Sequence, residues 1–134
     1  MKKTIRTYIE EVWNNASIDS LNSLASDDFK YVLGSQPPRD KESMKQFLQM
    51  VHSAFPDWHV EIQSISEEGS LVCVRWQGTA THGGVFHGIP PTGRQVTVTG
   101  INIYEMRNGK IAREWEQMDS LGLLTQLGAL PPQT

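Results

Sequence analysis

The chain has 134 residues, a formal net charge of −3 and 38% hydrophobic residues, which predicts a single domain that can bury its own core. The charges are scattered, so no basic face for nucleic acid is expected, and no apolar run approaches the length of a membrane span. The single cysteine, Cys73, excludes an intramolecular disulfide and a multi-cysteine metal site, and its strand-like apolar surroundings predict an inert core thiol. The first residues contain lysines but no apolar region typical of a signal peptide, so we expect an intracellular, cytoplasmic protein.

Helical periodicity predicts three helices in the first half of the chain and a short one near its end. Each is preceded by a residue that commonly caps a helix N-terminus or by the start of the chain. The expected segments are residues 4–15, a short helix after Ser17, residues 41–54 after Asp40, and a final turn over 121–127 after Asp119. We expect one domain over residues 1–128, followed by a loose proline-containing tail over 129–134.

Alternating apolar and polar residues predict strands in the remaining segments. They are residues 29–33, 58–66, 71–81 and a hairpin over 96–119. The hairpin turn is Asn108-Gly109, because both residues accept positive φ readily. Helices followed mainly by meandering strands predict an α+β fold, a cone-shaped curved antiparallel sheet wrapped around the N-terminal helices.

The hairpin carries two glutamates whose spacing requires an explanation. Side chains alternate between the faces of a strand, so Glu114 and Glu116 share one face with Ala112 and Met118. On the partner strand Gly100, Asn102 and Tyr104 share a face. The other face is predicted to carry Ile101, Ile103, Ile111, Arg113, Trp115 and Gln117. From alternation alone, surface glutamates are the simpler interpretation; a pocket on that face is the functional one.

The segment 78–96, GTATHGGVFHGIPPTGRQV, precedes a G-x-N-x-Y strand, the turn NGKI, Trp115 and Asp119. Together they resemble the SnoaL-like polyketide cyclase family, an ester cyclase-like branch of the nuclear-transport-factor-2-like superfamily. The resemblance extends from the first helix to Gly128. It implies an α+β cone, a homodimer formed through the outer face of the sheet, and intramolecular aldol chemistry without a metal or organic cofactor.

The resemblance also implies which residues would act. The family's acidic proton-transfer residue, an aspartate, matches Glu116, which follows Trp115 directly. The family's histidine on the neighbouring strand matches Asn102, which can hydrogen-bond a substrate oxygen but cannot carry a proton. Both are departures from the family pattern. His82 completes the predicted catalytic set, either as a donor near the mouth of the cone or, equally, as a rim histidine bonded to the following loop.

An apolar cavity would raise the pKa of a carboxylate and so suit it to proton transfer near neutral pH. Core packing alone would also explain each of the aromatic and apolar candidates for the lining. The histidines lack the spacing of metal ligands, so no metal site is expected. The residues predicted to bind substrate are Glu114, Trp76, Tyr104, Phe86, Met118 and Trp58.

Three hypotheses for function follow. The first is a cyclase- or isomerase-type lyase that uses general acid/base chemistry on a small hydrophobic carbonyl compound. The second is a non-catalytic small-molecule-binding or dimerisation module, which a wholly apolar cavity and solvent-facing glutamates would favour. The third is water activation as in epoxide hydrolases, which needs an acid–arginine–acid cluster; Arg75 and Arg113 face outward in the predicted register. An outward Trp115 is consistent with a dimer surface.

Overall fold

The helices begin where side chains satisfy free backbone N–H groups. Ser17 accepts a hydrogen bond from the Ser20 N–H at 3.2 Å, and Asp40 accepts one from the Ser43 N–H at 2.9 Å. Asp119 caps the last helix by accepting from the Gly122 N–H at 2.9 Å. These predicted caps are therefore confirmed.

The computed structural model describes residues 1–129. The predicted tail, apart from Ala129, lies outside the described residues. The helices are α1 (Lys2–Tyr8), which continues as a π-helical segment (Ile9–Asn14), α2 (Ile18–Leu24), α3 (Lys41–Ala54) and α4 (Ser120–Gln126). The strands are β1 (Ala25–Leu33), β2 (His59–Glu68), β3 (Leu71–Thr81), β4 (Gln95–Arg107) and β5 (Lys110–Met118). None of the described helices is long and apolar enough to cross a membrane.

The five strands form one sheet in the order β1-β5-β4-β3-β2, so the predicted α+β class is confirmed. The prediction of a wholly antiparallel sheet is wrong in one pairing, because β1 runs parallel to β5. Pairs joined by hairpins must be antiparallel, but β1 and β5 are far apart in the chain. No turn chemistry in the sequence therefore determines their relative direction.

The β4–β5 hairpin turns at Asn108 and Gly109, whose φ angles are +53° and +76°. The prediction for Ile111 is wrong: this side chain is fully buried rather than on the outer face. Glu105 pairs with Arg113 and Met106 pairs with Ile111, which leaves Ala112 as an extra residue in a β-bulge. The bulge interrupts the alternation, so Ile111 turns into the core.

The inner face of the sheet packs on the helices, whereas its outer face carries exposed apolar groups. Val72 and Val74 are fully buried, so Cys73 between them points outward and is exposed. The predicted core thiol is therefore wrong, because strand alternation outweighs the apolar character of the segment. Ile103 and Trp115 pair across β4 and β5 on the same outer face.

Candidate active site

A cavity of about 200 Å³ opens at one end of the cone, between the inner face of the sheet, α3, α4 and the loop 34–39. Its walls are mostly apolar, and Glu116 is the only acidic residue among the lining residues described. Of the predicted site residues, Glu116, Phe86, Met118 and Trp58 line it. The other lining residues are Trp13, Leu33, Gln36, Arg39, Phe47, Met50, Val51, Phe55, His87, Val96, Val98, Ser120, Leu123 and Leu124.

Glu114 lies behind Glu116 and holds the centre of a buried polar network. Its side chain is fully buried. One carboxylate oxygen accepts from the Tyr8 hydroxyl at 2.6 Å; the other accepts from the Trp13 indole N–H at 2.9 Å and from Asn102 Nδ2 at 2.8 Å. Buried carboxylates require such partners, because an unpaired charge in an apolar interior is costly. The first helix and its π-helical continuation thus supply two of the three donors.

Asn102 links the two glutamates. Its Nδ2 donates to Glu114 at 2.8 Å and to Glu116 Oε1 at 3.1 Å, and its Oδ1 accepts from the Trp76 indole N–H at 2.8 Å. Since an indole nitrogen only donates, Trp76 determines which end of the amide is oxygen. The side-chain N–H groups of Asn102 are therefore already used in hydrogen bonds within the protein. In this geometry Asn102 orients Glu116 instead of presenting a free N–H to a substrate.

The two glutamates lie in different environments, and this difference determines which of them carries a proton. Burial and the charge of Glu114 raise the pKa of Glu116 to about 8. Burial also raises the pKa of Glu114, but hydrogen bonds, first of all from Tyr8 and Trp13, oppose that rise. We therefore assign the negative charge of the pair to Glu114 and the proton to Glu116 near neutral pH.

Three tyrosines surround this pair. Burial, followed by the nearby glutamates, raises the pKa values of Tyr8, Tyr31 and Tyr104 well above the usual value. All three are therefore neutral at physiological pH. The Tyr31 hydroxyl is buried close to Glu116 but does not reach hydrogen-bond geometry with any described residue.

The raised pKa of Glu116 predicts a pH-dependent stability. Between pH 4.5 and about 8 the folded chain holds a proton on Glu116 that the unfolded chain has released. The free energy of unfolding should therefore fall as the pH rises through this window, by up to about 1.4 kcal/mol per pH unit. Urea denaturation at several pH values measures this slope. Glu116→Gln should flatten it, and an equally steep slope in that variant would contradict the assignment.

The structure places the remaining predicted residues behind the cavity wall. Trp76 and Tyr104 are buried in the core beside Asn102, and Tyr104 stacks edge-on against Tyr8. His82 is fully buried; its Nδ1 accepts from the Thr92 N–H at 3.2 Å and lies 3.0 Å from the Thr92 hydroxyl. Of the two interpretations of His82, the histidine bonded to the following loop is the one that this geometry favours.

Sequence reasoning missed three contributors to the site. Tyr8 and Trp13 were part of, or next to, an apolar helical stripe, and nothing in the stripe shows that their polar atoms converge on one carboxylate. Arg39 lines the cavity, although no arginine was expected there. A polar signal was present in the loop before α3, where Arg39 follows two prolines and precedes the cap of the helix.

Two other types of site, a metal site and an acid–arginine–acid cluster, are not assembled among the described residues. Within residues 1–129, no group of three or more His, Cys, Asp or Glu side chains is arranged to hold a metal ion. Arg39 forms no ion pair with Glu114 or Glu116 in this part of the chain, so the acid–arginine–acid cluster of the third hypothesis is not assembled.

Comparisons with known proteins agree with this architecture. The family model for SnoaL-like polyketide cyclase matches residues 3–127. A search of curated proteins gave no significant match.

Solved structures give close matches over nearly the whole chain. IdmH from Streptomyces antibioticus, a proposed polyketide cyclase, is 32% identical, with a TM-score of 0.82 and coverage of 95% of this chain and 97% of that chain. AclR from Streptomyces galilaeus, a proposed hydroxylase, is 27% identical, with a TM-score of 0.86 and coverage of 98% and 87%. A proposed SnoaL-like polyketide cyclase from Jannaschia sp. CCS1 has a TM-score of 0.88 at 22% identity, with coverage of 97% and 92%, and so indicates the fold alone.

Proposed function

Because this chain belongs to the SnoaL-like polyketide cyclase family, we propose that it transfers protons at the carbon next to a carbonyl group in a small hydrophobic substrate. Family membership and the likeness to IdmH support a cyclase- or isomerase-type function. The finer proposal is general acid/base catalysis by Glu116 without an organic or metal cofactor. Ring closure by an intramolecular aldol reaction is the form of this chemistry that we favour.

One observation carries the proposal: among the described residues one buried carboxyl group, that of Glu116, lines an apolar cavity, and a second, that of Glu114, is enclosed behind it. A group whose pKa lies near the working pH can both accept and donate a proton. Glu116 meets this requirement because burial and Glu114 raise its pKa to about 8. A surface glutamate would be ionised throughout the physiological range.

Glu116 alone can accept and return the proton that the reaction moves. In its ionised form Glu116 removes the proton from the α-carbon, so that a C–H bond breaks and the carboxyl O–H bond forms. The resulting enolate carbon attacks a second carbonyl of the same molecule and forms the new C–C bond. The alkoxide produced there takes the proton from Glu116, which regenerates the carboxylate. Asn102 keeps the carboxyl group oriented by donating a hydrogen bond to it.

The direct test of the proposal is exchange of an α-proton for deuterium. The purified protein is incubated in D₂O with 2-tetralone, a two-ring ketone, and the loss of the α-proton signal is followed by NMR. We expect exchange faster than with buffer alone at the same pH. A rate equal to that of buffer, for a protein shown by calorimetry to bind the ketone, would instead support the non-catalytic binding module. The burial of both glutamates does not favour that second hypothesis.

We also propose that the chain forms a homodimer through the outer face of the sheet. Ile101, Ile103 and Trp115 are 47%, 39% and 38% exposed on neighbouring strands. Adjacent apolar side chains on an open sheet face are typical of a protein contact.

Replacing Ile103 by glutamate should weaken this dimer, because it places a charge in the centre of the apolar face. Sedimentation velocity of the unmodified protein should give the mass of two chains, and the variant should dissociate at concentrations at least about tenfold higher. Gln49→Glu, on the exposed side of α3, serves as the matched control. A monomeric unmodified protein, or an Ile103→Glu variant that stays dimeric, would contradict the proposed interface.

A further inference from the structure

The loop 34–39 holds one arginine in a defined position beside the cavity. The backbone of Arg39 pairs with that of Tyr31 through two hydrogen bonds of 2.8 Å. At the start of the loop the Gly34 N–H donates to the Glu116 carbonyl at 2.9 Å. Pro37 and Pro38 restrict φ between these two anchors. The loop is thus tied to β1 and to β5, the strand that carries both glutamates, so the position of Arg39 beside the cavity is defined before any ligand binds.

Few groups of the protein balance the charge of the Arg39 guanidinium or accept hydrogen bonds from it. Its carbon lies 4.6 Å from the centre of the Phe47 ring, and Nη2 donates to Gln36 Oε1 at 3.0 Å. Its Nε is buried without an acceptor among residues 1–129. By contrast, Arg107 on the surface pairs with Asp28 at 2.9 Å and with Glu105 at 3.4 Å. In the described chain no carboxylate lies within 4.0 Å of Arg39 to balance its charge.

Arg39 is also the only arginine or lysine among the described residues that line the cavity. The other residues that line the cavity are mostly aromatic and aliphatic, and they include Phe47 and Phe55. A planar guanidinium with free N–H groups matches a carboxylate, which it can bind with two parallel hydrogen bonds. A half-buried cation on an apolar wall therefore has the chemistry of an anchor for an acidic group.

We propose that Arg39 binds a carboxylate of the substrate, and that the substrate class is a compact aromatic or alicyclic keto acid. This inference rests on the proposed function of the same cavity. The acid group is held at Arg39, the ring system lies on the apolar wall, and the carbonyl-bearing carbon is directed towards Glu116. The cavity of about 200 Å³ suits a small ring system, since an apolar cavity of ~150 Å³ accepts benzene.

Binding of two matched probes tests the anchor separately from catalysis. The probes are 2-naphthoate and 2-naphthamide, which have the same rings and nearly the same shape but differ in charge. Each is titrated by calorimetry into the unmodified protein, Arg39→Met, Arg39→Lys and Arg6→Met. Arg6→Met is the control because Arg6 lies exposed on α1, outside both the cavity and the proposed dimer face. Thermal melting of each variant checks that the fold is retained.

We expect 2-naphthoate to bind Arg39→Met at least about tenfold more weakly than the unmodified protein, because a charge-assisted hydrogen bond is lost. The Lys variant should recover part of the affinity, and Arg6→Met should lose none. The affinity for 2-naphthamide should be the same in all four proteins. Equal binding of the carboxylate by the Met variant, an equal loss for both probes, or no binding of the carboxylate to the unmodified protein would overturn the inference.

The outcome of this binding test can be distinguished from the outcome of the exchange test of the proposed function. Glu116→Gln should retain the preference for 2-naphthoate, since Arg39 is unchanged in it. If the preference is absent while deuterium exchange still depends on Glu116, only the anchor is refuted. If the preference is present and no exchange occurs in any protein, the cavity binds an acid without the proposed chemistry.

Discussion

Replacing Glu116 by glutamine should reduce the rate of α-deuterium exchange into 2-tetralone by about 100-fold or more, which is the usual contribution of a general acid/base. Glutamine keeps the size of the side chain and can still accept the hydrogen bond from Asn102, but it cannot carry the proton. Glu116 is 6% exposed and lines the cavity, so the substitution removes the only carboxyl group in the cavity lining among the described residues.

The measurement is the exchange rate by NMR, together with the affinity for the ketone by calorimetry. The affinity should change little, because the lost interaction belongs to the reaction and not to binding of the ground state. Glu61→Gln, on the exposed side of β2, is the matched control and should exchange at the unmodified rate. Exchange by Glu116→Gln within a factor of a few of the unmodified rate would remove Glu116 from the mechanism.

The second large effect is expected from Glu114→Gln, which should move the pH profile of exchange towards acid. The two carboxylates accept hydrogen bonds from the same Asn102 nitrogen, at 2.8 and 3.1 Å. They therefore lie within the ~4–6 Å range over which like charges raise each other's pKa. Removing the charge of Glu114 should lower the pKa of Glu116 from about 8. We expect the midpoint of the profile to fall by about one pH unit or more, equal to about 1.4 kcal/mol of interaction.

Other groups near Glu116 do not account for such a shift. Tyr31 approaches it from β1 and Tyr104 from β4, but the pKa values of both are raised and they remain neutral across the profile. On the cavity side Arg39 and His87 are unchanged in the variant. A midpoint that stays in place, in a Glu114→Gln protein with native circular dichroism, would show that Glu114 has only a structural role. The control Glu61→Gln should keep the midpoint of the unmodified protein.

Much of the fold follows from local rules that act over a few residues. The caps Ser17, Asp40 and Asp119 each satisfy a backbone N–H within their own turn, so residue type and position are enough to predict them. The Asn108-Gly109 turn is equally local, because it depends on two φ angles. The alternation rule failed at Ile111, where a single bulged residue reversed the direction of the side chain.

The candidate site was only partly predictable, because its hydrogen bonds join segments that are distant in the chain. Strand periodicity placed Glu114 and Glu116 on one face, and the resemblance to the family selected Glu116. Neither periodicity nor resemblance could show that Tyr8 and Trp13, about a hundred residues earlier, donate hydrogen bonds to Glu114. The sequence also contained no sign that the side-chain amide of Asn102 donates hydrogen bonds to both glutamates. Hydrogen bonds between distant segments depend on packing angles and side-chain rotamers, which leave no periodic trace in the chain.

Nearby residues and recognisable motifs were therefore enough to predict the helices and their caps, most strand boundaries, the hairpin, the family and the face on which the two carboxylates lie. Packing of the folded chain makes β1 join β5 in parallel, places Glu116 at a cavity with Glu114 enclosed behind it, and brings Arg39 into the lining of the same cavity. Those features arise where segments distant in the chain pack together. The charge and pKa of a buried group depend on what surrounds it in space, so they become readable only once the chain is folded.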